Sequence, residues 1–416
     1  MDRSREFEGH PSRTLRRVLI LADESATWEV AGLRQLDRLA LSLHTFGRDT
    51  RQPVSICVMW HPNVLPAHRW LPRDPRVVGS ISDCDEVEAN EAVDLIVSTR
   101  LLLFRDGLPQ LLDSLPQPNE RELESADSWE GYRSMFENGL GNTSHFEGRQ
   151  PWRYLRNRRD LPAAERAFLR ASGKSQDGLV ARYVNRPLSR IVTRGLLRLA
   201  ITPNIWSVLV FTLPIVACWL FLRGTYQSIL SGCAIYQLYS ILDGCDGEIA
   251  RAKFMQTEFG RRLDSFLDLA GNILLALSLG SGLARQWERR HGSGWFYVVE
   301  GIVAAMFIGL SEGIVFARRT RSVNTSPSAK WNGALYQRHH EFLERSGILV
   351  VGERFAWWLV QLTKRDMAML AFLLLAAFGY AEGILHLLLL VSGTSAVLAG
   401  NAFLRAPAPV LPQEAS

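Results

Sequence analysis

The sequence predicts an α-helical integral membrane protein: a six-helix transmembrane bundle preceded by a soluble α/β domain. Three observations carry this reading. A mean hydropathy near zero hides two halves, polar and mixed over residues 1–175 and dominated by long apolar runs over 200–405. In the first half, short apolar runs of strand length alternate with helical periodicity. In the second, carboxylates stand beside apolar segments, where they are costly and therefore kept for a purpose.

The 416 residues leave room for two or three domains. Val18-Leu19-Ile20-Leu21 reads as a buried strand, followed by helical periodicity in Leu33, Leu36, Leu39, Ala40 and Leu43. Residues 54–59 read as a second strand and 93–97 as a third, with a helical stretch before it. Strands alternating with helices predict a Rossmann-like α/β domain with a mostly parallel sheet over residues 1–115. Residues 116–175, rich in Pro, Asn, Gly, Arg and Trp, read as a connection with little core of its own. Over residues 176–200, Leu188, Ile191, Val192, Leu196, Leu197 and Leu199 alternate with Arg190, Arg194 and Arg198. That pattern predicts an amphipathic basic helix lying on an anionic leaflet. Within 201–405, six spans are expected at about 205–223, 226–245, 264–283, 294–316, 366–379 and 381–402. Residues 406–416 read as a disordered tail.

Charge and cysteine content narrow the class. The net charge of +5 is mild, and its excess near the apolar segments fits a membrane surface and not a nucleic-acid groove. The five cysteines have no metal-ligand spacing and read as reduced, buried thiols. No apolar core follows Met1-Asp2-Arg3-Ser4-Arg5-Glu6, so no cleavable signal peptide is expected. Basic residues concentrate in the loops at 251–262 and 317–365. With six spans, this places both termini and those loops in the cytoplasm.

The motif at the second and third spans is the most informative. Asp243 and Asp246 are three apart, and Asp264 and Asp268 four apart, so each pair shares a helix face. Two such pairs on neighbouring helices make a cluster of hard oxygen ligands that repels itself unless a divalent cation such as Mg²⁺ neutralises it. Gly247 leaves room for a ligand against the helix backbone, and Arg251 is able to fork onto a phosphate. Metal, phosphate and a spare carboxylate point to chemistry at phosphorus. Glu300, Glu312, Glu382 and His386 also lie in apolar runs and read as helix-packing or interface residues. Lys253, Arg261 and Arg262 read as side chains reaching for headgroups, or alternatively as binding a phosphate on the acceptor. His339-His340-Glu341 reads as a solvated loop, because adjacent helical residues point in different directions.

Asp243, Asp246, Gly247, Ala250, Arg251, Gly260, Asp264 and Asp268 match every fixed position of the pattern Asp-x2-Asp-Gly-x2-Ala-Arg-x8-Gly-x3-Asp-x3-Asp. The chain thereby resembles the CDP-alcohol phosphotransferases (CDP-alcohol phosphatidyltransferases). The resemblance implies a CDP-alcohol donor whose diphosphate bridges two Mg²⁺ ions, with Mn²⁺ as a substitute. An acceptor hydroxyl attacks the phosphorus distal to cytidine, and CMP leaves. By resemblance, Asp243, Asp246 and Asp264 are metal ligands, and Asp268 is the general base and a further metal contact. Gly247, Ala250 and Gly260 make room for nucleotide, and Arg251 pairs with phosphate. Thr202-Pro203-Asn204 also resembles a family motif in which Asn204 meets the nucleotide or a phosphate; from the residues alone it reads equally as a helix cap. The implied partners are donor, acceptor and bilayer, with a homodimer as the family's expectation, and the implied site faces the cytoplasm.

The N-terminal outline resembles the nucleotidyltransferase-like domains fused to some members, with 29–43 matching the helix after the nucleotide loop. Its loop departs from them. Ala22-Asp23-Glu24-Ser25-Ala26-Thr27-Trp28 has no glycine, Lys or Arg, so nothing in it cradles a triphosphate, and the domain reads as degenerate. Two donor schemes fit the membrane half: CDP-diacylglycerol giving a phosphatidyl group to a polar alcohol, or a CDP-linked polar alcohol such as CDP-inositol. The fused domain and the 177–187 approach segment resemble the inositol-phosphate-transferring branch and favour the second. Two other classes compete. A cation transporter would place its site near the midplane between repeated halves, and no repeat is visible. A silent scaffold does not account for an intact aspartate quartet.

Overall fold

A computed structural model describes residues 14–85, 93–105, 107–115, 118, 128–141, 150–173, 178–322 and 365–404. The chain divides into two compact units. The first comprises Met1–Lys174 with Leu196–Ala200 and Glu248–Met255; the second comprises Ser175–Gly195, Ile201–Gly247 and Gln256–Ser416.

The first unit runs β1 (Arg17–Ala22), β2 (Glu29–Val30), β3 (Leu33–Arg34), α1 (Gln35–Thr50), β4 (Ser55–Trp60), β5 (Ile81–Asp83), β6 (Leu95–Ser98), β7 (Leu101–Leu103), α2 (Gly107–Ser114), α3 (Trp129–Gly141), β8 (Trp152–Tyr154) and α4 (Leu161–Ala171). Four strands make a parallel sheet in the order β5-β4-β1-β6. Continuous apolar runs suit strands buried on both faces, and Leu19, Ile20 and Leu21 at its centre are fully buried. The three expected strands are all present. Short β5, with two of its three residues polar, gave no periodic signal.

Three expectations for this unit change. Residues 29–34 are a hairpin and not the start of a helix: Ala31 (φ 50°) and Gly32 (φ 75°) turn the chain, and α1 begins only at Gln35. The supposed connection contributes Trp129, Tyr132, Phe136 and Trp152 to the first unit's core, and β8 pairs antiparallel with β7. Trp129, Tyr132 and Phe136 lie at helical spacing, a signal diluted by the polar composition around them. Finally, Cys57 and Cys84 are joined in a disulfide, whereas Cys218, Cys233 and Cys245 are the buried free thiols expected. Parallel register sets Cys57 opposite Ser82, which brings Cys84 within reach. The helical stretch expected before the third strand falls partly on 86–92, outside the described residues.

The carboxyl edge of this sheet, where open α/β sheets bind ligands, is occupied by the protein itself. Arg100 Nε donates to Asp23 Oδ2 at 2.6 Å, Ser25 N donates to Asp23 Oδ1 at 2.8 Å, and the Ser25 and Thr99 hydroxyls meet at 2.7 Å. Burial pushes the Asp23 carboxyl up, but the Ser25 and Arg100 hydrogen bonds outweigh it and hold it below its ordinary value.

The second unit is helical: α5 (Arg186–Leu197, its last turn counted with the first unit), α6 (Pro203–Val210), α7 (Thr212–Arg223), α8 (Tyr226–Ala252, likewise), α9 (Glu258–His291), α10 (Trp295–Ser322), α11 (Arg365–Ala377) and α12 (Ala381–Leu404). Each segment expected to span falls on helix. Among the described residues, Pro203–Arg223, Glu258–His291 and Trp295–Gly313 are long and apolar enough to cross a membrane, and Ala381–Val397 is a shorter apolar helix. Phe221, Tyr236, Leu279, Phe372 and Ile384 fill the core, while Ile205, Trp219, Met306, Leu310 and Leu390 stand exposed. Apolar exposure on this scale suits a lipid-facing surface.

In α5 the polar Ser189 and Thr193 are buried, while Leu188 and Ile191 are exposed. Leu196 and Leu197 at its end are buried as well. Glu300 meets His386 at 2.5 Å, tying α10 to α12, in line with their reading as packing residues. Lys253 Nζ donates to Leu199 O at 3.0 Å, and Arg261 and Arg262 both pair with Glu258. His339-His340-Glu341, most of the basic loop at 317–365 and the tail lie outside the described residues.

Glycines let the helices touch backbone to backbone. A Cβ on Gly282 would collide with Phe221 O, and one on Gly280 would lie 2.6 Å from Tyr297 O. Gly282→Val is therefore expected to cost about 1–3 kcal/mol through overpacking. Its Tm in detergent should fall by several degrees, whereas Gly309→Val, with open space at its Cβ, should melt like wild type. The depressed Asp23 pKa stabilises the fold above the unfolded carboxylate value of about 4, and that stability is lost as pH falls through the folded value. Asp23→Asn should lower Tm at pH 7, and the gap from wild type should close below about pH 4 in melts run across pH.

Candidate metal and phosphate site

The second unit brings together carboxylates from two helices. Asp243 and Asp246 lie on α8, and Asp264 and Asp268 on the first third of α9. One carboxylate oxygen from each of Asp243, Asp246 and Asp264 lies within 4.8 Å of the others, and all three residues are half-buried. Asp268 falls outside that trio. It accepts from Tyr239 Oη at 3.1 Å and from Arg365 Nη1.

Local sequence sets this geometry. Thr257 caps α9 by accepting from Gly260 N at 3.0 Å, which fixes where the Asp264–Asp268 face begins. Thr202 caps α6 in the same way, accepting from Ile205 N, so Asn204 sits inside the helix and is not its cap. A Cβ on Gly260 would lie 2.7 Å from Asn204 Oδ1, so the two residues pack directly against each other. Gly247 donates its backbone N–H to Asp246. Ala250 and Arg251 follow on the last turn of α8, Arg251 half-buried.

Three residues at the site had no sequence signal strong enough to single them out. Ser207, one turn into α6, donates to Asp246 Oδ2 at 2.5 Å. Tyr239 lies one turn before Asp243 on α8 and reaches Asp268. Arg365 bridges the two helices, one guanidinium nitrogen on Asp243 and another on Asp268. In sequence it closes a run of basic loop residues and looks like one of them. Its place at the first residue of an apolar helix was the available signal, since a cation entering an apolar segment needs a partner. Arg186 supports the same helix, donating from Nη1 to Gly244 O at 3.3 Å.

The donor set fits a hard divalent cation. It offers oxygen only, from three carboxylates on rigid helices, with no sulfur or imidazole to favour a softer metal. Like charges held this close require compensation. The Arg365 guanidinium supplies part of it, at Asp243 and Asp268. One oxygen each of Asp243, Asp246 and Asp264 lies close enough to the others for a single ion to reach all three.

A match to a known family falls on the same stretch of chain. Residues 200–391 match the family model described as CDP-alcohol phosphatidyltransferase, a span that contains every carboxylate of the site. Among curated proteins, the chain is 37% identical over 134 residues to the bifunctional IPC transferase and DIPP synthase of Rubrobacter xylanophilus. It is 35% identical over 118 residues to the protein so named from Archaeoglobus fulgidus, and 36% over 118 to that of Thermococcus kodakarensis. These alignments cover 32%, 28% and 28% of this chain, and only 30%, 23% and 26% of the relatives' own lengths. The carboxylate cluster, its helical setting and the match over 200–391 together make this region a domain of the CDP-alcohol phosphatidyltransferase family.

Proposed function

We propose that the protein transfers a phosphoalcohol group from a CDP-alcohol to an acceptor hydroxyl and releases CMP, using Mg²⁺, at the cytoplasmic face of a membrane it crosses six times. The observation that carries this is the convergence of Asp243, Asp246 and Asp264 within 4.8 Å at the ligand positions of the family's motif. Six helical segments at the expected places and basic loops flanking the motif support the topology.

Asp243, Asp246 and Asp264 would hold the cation, with Asp268 alongside. When bound, it offsets the diphosphate charge and stabilises the leaving phosphate. Ser207 orients Asp246 through its hydrogen bond. Asn204, packed against Gly260, would orient the nucleotide, and Arg251 would pair with its phosphate. Asp268 takes the proton of the acceptor hydroxyl as the new O–P bond forms and the bond to CMP breaks. Tyr239 and Arg365 hold the Asp268 carboxylate in place until the acceptor arrives.

A CDP-linked polar alcohol is the favoured donor. The relatives' names, IPC transferase and DIPP synthase, and the fused N-terminal domain support it over CDP-diacylglycerol. The first domain performs no nucleotidyl transfer in this reading: the Asp23–Arg100 pair fills the edge of its sheet and sets a carboxylate where a triphosphate would need cations.

Purified protein with Mg²⁺ is expected to release CMP from CDP-inositol in the presence of an alcohol acceptor, and Asp268→Asn should lower kcat by about 10²–10⁴. CMP from CDP-diacylglycerol alone would reverse the donor assignment. No CMP from either donor, with no Mg²⁺-dependent CDP binding, would sink the reading. CTP offered with inositol 1-phosphate should yield no pyrophosphate, and its release would restore nucleotidyl transfer to the first domain.

A further inference from the structure

The first unit contains a fully buried cation that no part of the proposed reaction uses. Arg38, on α1, is 2% exposed. Its guanidinium lies 4.4 Å from the centre of the Phe168 ring and donates to Val30 O. It also donates from Nη1 to Ala252 O at 3.0 Å. Burial is costly enough to pull its pKa from the ordinary arginine value down to about 9. A well-packed apolar side chain would normally be the cheaper occupant. What the arginine gains is a grip on one place in the chain.

That place is the end of α8. The carbonyl of Ala252 stands at the helix C-terminus, where it lacks a full intrahelical partner and carries the negative end of the helix dipole. A buried guanidinium satisfies both needs. The next residues are held as well. Arg76 donates to Phe254 O. Phe254 itself takes a left-handed φ of 54° and packs its ring against the first unit's core. Lys253 Nζ donates to Leu199 O at 3.0 Å. Residues 252–254, all members of the first unit, are thus fixed at backbone level by two arginines and a core aromatic. They belong to the short link between α8, which carries Asp243 and Asp246, and α9, which carries Asp264 and Asp268.

We propose that Arg38 is a positioning residue for the carboxylate cluster: with Arg76, it fixes the 252–254 link and so sets the spacing of the two aspartate pairs that the link joins. The α/β domain then contributes to the membrane reaction as a mechanical tie. This rests on reading the carboxylates as a cation site.

The test uses the full chain in lipid nanodiscs. Mn²⁺ affinity is measured by electron paramagnetic resonance without substrate, and hydrogen exchange is followed in peptides covering 249–257 and β1. Arg38→Met keeps the volume and removes the hydrogen bonds; Arg38→Lys restores a cation; Arg76→Ala loosens the link from a part-exposed position. Arg38→Met is expected to weaken Mn²⁺ binding about tenfold or more, the scale for residues that support metal ligands. Exchange over 249–257 should speed up while β1 stays protected, Arg38→Lys should recover part of the affinity, and Arg76→Ala should shift both readouts the same way. Faster exchange over 249–257 with Mn²⁺ affinity unchanged would overturn the proposal, as would unchanged exchange. If β1 loses protection in Arg38→Met, the same two readouts in Arg76→Ala decide: weaker Mn²⁺ binding with faster exchange upholds the proposal, and anything else overturns it. Wild-type protein that binds no Mn²⁺ would sink the cation-site reading and this proposal with it, whereas wild-type binding with unaffected variants would sink this proposal alone.

Discussion

Like charge held close together, where solvent cannot fully screen it, is the constraint around which the second unit is organised. Asp243, Asp246 and Asp264 bring carboxylate oxygens within 4.8 Å of one another on half-buried helix faces. Such an arrangement is unfavourable unless positive charge and hydrogen-bond donors meet it. Much of the surrounding chemistry answers that demand. Ser207 and the Gly247 N–H donate to Asp246, Tyr239 donates to Asp268, and Arg365 bridges Asp243 and Asp268. The caps at Thr202 and Thr257 fix the starts of α6, which carries Ser207, and of α9, which carries Asp264 and Asp268.

The same physics takes another form in the first unit. There two buried charged groups are met by their surroundings: Asp23 by Arg100 and Ser25, Arg38 by carbonyl oxygens. An α/β sheet offers a ligand crevice at its carboxyl edge by construction, and this one fills that crevice with an internal ion pair.

Much of this could be read from the residues. The strands at 17–22, 55–60 and 95–98 follow from continuous apolar runs, and the aspartate pairs follow from helical spacing. Their convergence was implied because like-charged pairs on adjacent helices need one shared partner. What escaped had physical causes. Arg365 lies 97 residues after Asp268, and no local pattern announces a pairing at that range. Ser207 looks like any small polar residue in an apolar helix. Trp129, Tyr132 and Phe136 were hidden because composition averages over a segment, whereas one helix face suffices to join a core. The Cys57–Cys84 bond depends on strand order, which spacing in sequence does not reveal. The hairpin at 29–34 turned on Ala31 adopting a positive φ, a conformation its residue type disfavours.

The glycine contacts along α9 divide that helix into two mechanical regimes. Over its second half, Gly280 and Gly282 press against the backbones of α10 and α7, leaving no side chain to deform between them. Over its first turns the contacts are polar: Thr257 caps the helix start, and Tyr239 and Arg365 meet Asp268. One helix is thus seated by backbone contact at the end remote from the acids and by hydrogen bonds at the end that carries them. A substitution at a polar partner can be absorbed near the acids while the backbone contacts keep the helix in register.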